Sequence, residues 1–196
     1  IDTFIPVFHR WLREGRLPGL WIDVADYSHV PVEPSVQLAG HEADIVLDSS
    51  EGPAGLLYRT RAAAGEGDLA ARIRAAAESA LGAAAALEED LPAFAGASVG
   101  GPGVRFRGDR LRLVAADRLL VPNGPATIEA LRRALAPVLA SLWPDGSIRV
   151  EEPSASDPRR RPSLEARADR PAPLADLRER VARGGYTAPP RLPARR

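Results

Sequence analysis

Three histidines, His9, His29 and His41, fall within the first 41 residues, close to Asp23, Asp26, Glu42 and Asp44. The chain has no Cys and no Lys, so His and carboxylates are its main acid–base or metal-ligating groups. His29, His41, Asp26 and Glu42 are therefore the candidate catalytic residues for general acid–base hydrolysis. His29, His41 and Asp26 are the candidate ligands of a divalent metal, the one cofactor these side chains could hold. The spacing follows no known signature, since His41-Glu42 lacks the second His of a zincin helix. The competing reading makes them structural, with His9 beside an apolar helix stripe and His41 on the core face of a strand.

A second constellation is basic. Arg105, Arg107, Arg110 and Arg112 flank Gly108-Asp109, and Gly at the first loop position suits a type II′ hairpin turn. In that hairpin Val104, Phe106, Leu111 and Leu113 face the core, Arg107 opposes Arg110, and Arg105 opposes Arg112. Like charges directly opposite across strands destabilise the pair, so four guanidinium groups on one ribbon require anions. The expected anions are acids elsewhere in the protein, such as Glu42, Asp44 and Asp48, or acids of a second copy. Phosphates of nucleic acid are the alternative, but no aromatic residue lies on the arginine patch, since Phe106 between them faces the core.

Two further motifs carry less. Gly96-Ala97-Ser98-Val99-Gly100 has the form of a nucleophile elbow, but no helix pattern and no His follows it. Pro190-Arg191-Leu192-Pro193-Ala194-Arg195 has the PxxPxR form that polyproline-II readers take, which Pro and Arg bias makes cheap.

All 26 basic residues are Arg, against 26 Asp and Glu. Without Lys there is no Walker-A loop or Schiff-base lysine, and without Cys no disulfide, thiolate nucleophile or cysteine zinc site. One Asn, one Gln and 19 Pro fit a heat-adapted protein, though GC bias in a bacterial genome also replaces Lys by Arg. The zero net charge hides an asymmetry: residues 1–100 sum to −8 and residues 101–196 to +8. Such a split suits two halves that pair with each other, or one that faces an anionic partner. No apolar run approaches the ~20 residues that cross a bilayer, so no membrane insertion and a cytoplasmic location are expected.

The elements that must position these groups follow from periodicity. Thr3 is placed to cap a helix whose stripe is Phe4, Val7, Phe8, Trp11 and Leu12, and Gly15 to end it. Leu20–Tyr27 alternates as a strand with Leu20, Ile22 and Val24 on one side and Trp21 and Asp23 on the other. Ser35–Asp48 changes parity at Gly40, which predicts a β-bulge that puts Val36, Leu38, His41, Ala43, Ile45 and Leu47 on the core face. Glu42, Asp44 and Asp48 then face solvent, and Gly55–Arg61 returns as the partner strand. Asp68 caps a long Ala-rich helix to about Glu89. A strand is expected through Leu119–Val121, and a helix from Pro125 with a kink at Pro137. A strand at Ser147–Glu151 follows, then structured pieces at Leu164–Arg167 and Leu174–Arg183.

The expected fold is α+β: a mostly antiparallel sheet with two to three helices on one face, and a ββα unit that could be duplicated. Residues 1–152 form the domain, and 153–196 an Arg/Pro-rich extension with one short helix. The leading functional reading is a binding or assembly protein that self-associates through the arginine hairpin and the tail. The alternatives are a small metal- or acid–base-dependent enzyme at the His/Asp/Glu cluster, and nucleic-acid binding through the basic C-terminal half.

Overall fold

The computed structural model describes residues 3–30, 35–48, 55–61, 67–91, 104–117, 121–153, 157 and 159–184. Its elements are α1 (Phe4–Glu14), β1 (Trp21–Tyr27), β2 (Ser35–Gly40), β3 (Ala43–Asp48), β4 (Gly55–Thr60), α2 (Leu69–Asp90) and β5 (Arg110–Val114). They continue with α3 (Pro125–Leu142), β6 (Ile148–Glu151), β7 (Ser163–Ala168) and α4 (Leu174–Arg183). The class is α+β, as expected, but the strands form two antiparallel sheets, of order β1-β2-β3-β4 and β5-β7-β6. No described helix is long and apolar enough to cross a membrane.

Helix α2 stands between the sheets. Ile73, Ala77, Ala84 and Ala85 pack with α3, α4 and the three-stranded sheet. Ala83, Ala86, Leu87 and, just past its end, Leu91 pack with α1 and the four-stranded sheet. Alanine on both sides lets two layers approach one helix closely, which explains why its apolar residues are not confined to a single stripe. Its N-terminus is set by Asp68, whose Oδ1 accepts from the Ala71 N–H at 2.8 Å. Helix α1 buries Val7, Phe8 and Trp11 and stops at Gly15, which takes the left-handed conformation (φ 60°). Thr3 does not cap it: its backbone is already helical and its side chain makes no cap hydrogen bond. Helix α3 starts with Pro125 and runs unbroken through Pro137.

Three expectations about strands are corrected. Ser35–Asp48 is not one bulged strand but a hairpin, β2 and β3, with His41-Glu42 as its two-residue turn. A bulge and such a turn change parity in the same way, so Val36, Leu38, Ala43, Ile45 and Leu47 are buried as expected while His41 is exposed. Gly40 is required by crowding, since a Cβ there would lie 2.7 Å from the Ala43 carbonyl oxygen and 2.9 Å from the Trp21 ring. The irregularity lies instead in β1, where the register with β2 shifts between Trp21 and Asp23. Trp21 and Val24 therefore reach the core, and Leu20 and Ile22 are left 67% and 59% exposed.

The hairpin at 104–114 does not form. Residues 104–107 are not a strand, and β5 pairs with β7, matching Arg110 with Arg167 and Arg112 with Glu165. The Phe106 N–H is taken by Glu88 Oε1 at 2.6 Å, which holds 104–107 along the end of α2. At Gly108 the chain is pressed onto Ala172, and the Gly108 carbonyl accepts from Trp143 Nε1 (3.0 Å) and the Ala172 N–H (3.3 Å).

Residues 163–183 are not an extension of the core but part of it. β7 is the central strand of the second sheet, with Leu164 and Ala166 fully buried, and α4 buries Leu174, Leu177 and Val181. β5 and β6 run in the same direction on either side of β7 and are joined through α3, so this half does not repeat the meander that precedes α2. The expected strand at 119–121, the elbow-like Gly96–Gly100 and the PxxPxR segment fall wholly or mainly outside the described residues.

Candidate partner-binding surface

The face of the three-stranded sheet turned away from its helices is built by alternation. Leu111, Leu113, Ile148, Val150, Leu164 and Ala166 point inward to the core. The intervening residues must therefore point outward. Register places Arg110, Arg167 and Arg149 side by side on β5, β7 and β6, and Arg112, Glu165 and Glu151 in the next row. This brings together five arginines, counting Arg107 beside Arg167, against three acids, Asp109, Glu151 and Glu165.

The acids are unevenly shared. Arg167 takes two, with Nε 2.8 Å from Glu165 and Nη2 3.8 Å from Glu151. The Glu165 hydrogen bond, then the two carboxylate charges, raise Arg167 above its ordinary value, and the Arg107 charge works in the opposite direction. Arg107 grips Asp109 with both arms, Nε at 3.0 Å and Nη2 at 2.6 Å, which holds the Asp109 carboxyl below its usual range. Arg110 and Arg149 are exposed, and neither has a carboxylate within ion-pair distance among the described residues.

Of the four arginines expected on one ribbon, two thus leave it. Arg105 turns to Glu88 (3.2 Å), and Arg107 is satisfied by its own turn. Arg110 and Arg112 stay on a common face, where Arg149 and Arg167 join them. Those two were not singled out in the sequence: alternation within each segment is the local signal that marks them as outward, but their place beside Arg110 depends on pairing between segments far apart in the chain. The Arg105–Glu88 pair lines a shallow groove of about 560 Å³ between the end of α2 and the start of α4.

The acids expected to answer these arginines lie on the other sheet. Asp44 faces away from the helices as expected, yet it is buried: Arg59 donates to its Oδ2 (2.9 Å) and Arg61 to its Oδ1 (2.8 Å). Burial alone would raise its pKa, but the hydrogen bonds from Arg61 and Arg59 outweigh that and hold it below the usual range. Glu42 is exposed in the β2–β3 turn, and the Asp48 side chain lies outside what is described.

The histidine cluster is not assembled. His41 sits in the β2–β3 turn, its N–H bonded to the Leu20 carbonyl before β1, whereas His29 follows the other end of β1. Seven strand residues at about 3.3 Å each put roughly 20 Å or more between them. Asp26 is near His29 alone. Hydrogen bonds from the Ser28 hydroxyl and N–H, in that order, lower its pKa, and the His29 charge adds to them. His9 is exposed too, and among the described residues no three His, Asp or Glu side chains could share a metal.

No protein-family model, curated protein or solved structure matches this chain.

Proposed function

We propose that this is a binding and assembly protein, and that the outer face of β5-β7-β6 receives an acidic surface, first of all that of a second copy. The single observation that carries this reading is the cross-strand row Arg110–Arg167–Arg149, in which, among the described residues, only the middle one is within ion-pair distance of a carboxylate, Arg110 feeling Asp109 through its charge alone. Two unit charges about 5 Å apart repel by roughly 0.8 kcal/mol even in water, so such a row costs the isolated fold something. An external anion would reverse the sign of that contribution. The chain supplies one, because its first hundred residues sum to −8. Nucleic acid is less well matched, since no aromatic side chain shares this face among the described residues to stack a base.

Sedimentation velocity at low ionic strength tests the proposal with Arg110→Glu/Arg149→Glu. Wild type should sediment as more than its 20.9 kDa monomer. The double variant should be monomeric, with an unchanged circular dichroism spectrum, because both positions are exposed. A monomeric wild type that shifts on single-stranded nucleic acid would transfer the role to the rival polyanion. A variant that assembles like wild type would remove the arginine row from the account.

A further inference from the structure

On the proposed reading, the arginine row needs a defined counter-surface on the second copy, and the structure offers one. We infer that this surface is the free edge of β1 together with the β2–β3 turn beside it.

Three of the four large hydrophobic residues most exposed among the described ones belong to this edge: Leu20 (67%), Ile22 (59%) and Tyr27 (47%). Scattered single apolar residues need no explanation, but Leu20 and Ile22 lie two residues apart, close enough for their exposed side chains to form one apolar spot beside the β2–β3 turn. Asp23 lies on the same edge, and Glu42 lies in the turn, next to the residues that pair with the start of β1. Both acids are exposed, and among the described residues neither is in an ion pair with an arginine. Apolar surface rimmed by carboxylates is what an arginine face fits: the guanidinium takes the acid, its methylene stem covers the apolar side chain, and an aromatic ring can accept a guanidinium on its face.

The edge is also unsuited to the commoner alternative, strand addition. The register shift at Ile22 interrupts the ladder, and Asp23 Oδ1 already takes the Val24 N–H at 2.8 Å. Pairing β1 with the β1 of another copy about a two-fold axis would set Asp23 and Asp26 against the same two acids. Laying two arginine faces together would be equally repulsive. Of these three arrangements, the arginine face of one copy on the β1 edge of another is the one that joins opposite charges.

The test uses full chains carrying Asp23→Arg/Glu42→Arg, and separately Arg110→Glu/Arg149→Glu, followed by light scattering during size exclusion. Each variant alone should be monomeric under conditions where wild type assembles, and an equimolar mixture should recover a complex containing both. Ile22→Ser, a milder change at an exposed position, should weaken wild-type association at least fivefold. If the edge variant and Ile22→Ser both assemble as wild type does, the counter-surface lies elsewhere and this inference fails while the arginine face stands. If wild type itself never assembles, the proposed function fails first.

Discussion

Gly108→Ala should cost the fold about 3 kcal/mol or more, at the upper end of what an added methyl does in a packed site. A Cβ at this position would fall 1.7 Å from the carbonyl oxygen of Ala172, an overlap with backbone that no rotamer change relieves. The conformation is not at issue, because Gly108 is not among the glycines with positive φ. What the residue permits is contact. Its carbonyl is held by Trp143 Nε1 and the Ala172 N–H, so moving it aside breaks a buried hydrogen bond at the junction of β5, α3 and α4. Gly82→Ala is the control: within α2 nothing lies within 4 Å of a Cβ there, so it should stabilise by roughly 0.5–1 kcal/mol. Urea midpoints measure both. Equal small effects of the two substitutions would mean that Gly108 and Ala172 do not touch.

Asp90→Ala should cost roughly 2–3 kcal/mol and loosen α1 from α2. Asp90 Oδ2 accepts from Trp11 Nε1 at 2.7 Å and Arg16 Nε at 3.0 Å, and its Oδ1 lies 3.2 Å from Arg10. Trp11 is 1% exposed, so its N–H would lose its partner where water scarcely reaches. A carboxylate at the C-terminal end of a helix opposes the helix dipole, and these donors offset that cost. Burial pushes the Asp90 carboxyl up, but the hydrogen bonds from Trp11 and Arg16 and the charges of Arg16 and Arg10 keep it below the usual range. Asp44 is held low in the same way on the other sheet. For both groups the folded-state pKa lies below the unfolded value of about 3.9, so the unfolded chain binds protons first. The stability they confer is full at neutral pH and drains as pH falls below about 4, through the folded values. Wild type should therefore lose stability more steeply than Asp90→Ala in urea titrations as pH falls below about 4. Parallel pH profiles would show that Asp90 is not engaged in solution.

Helices announced themselves in the sequence because their signals are local: the apolar stripe of α1, the Asp68 cap, Pro125 at the start of α3 and the short amphipathic α4. The β3–β4 hairpin was legible for the same reason. Strand partners were not. Alternation in 110–114 and 163–168 says which side chains share a face, but not that β7 will insert between β5 and β6. Gly108 misled because one residue type serves both a hairpin loop and a close approach: it does lie in a turn, but that turn joins no strand pair, and the glycine is needed for its contact with Ala172. Gly40 misled because a bulge and a two-residue turn leave the same alternation behind. Asp44 read as a solvated charge because nothing local reveals that Arg59 and Arg61 fold over it.

The candidate surface was legible in kind and not in place. Crowded guanidinium groups were anticipated, and they are present, but on a sheet face assembled from three distant segments. Two of the five, Arg149 and Arg167, came from outside the segment that drew attention.

The most direct measurement is the wild-type self-association constant as a function of salt, obtained by sedimentation equilibrium between roughly 30 and 500 mM, where the Debye length falls severalfold. Contact between guanidinium groups and carboxylates requires that constant to drop steadily as salt rises. Association that is indifferent to salt, or that strengthens with it, would mean an apolar contact holds the copies together and would contradict the role given to the arginine row.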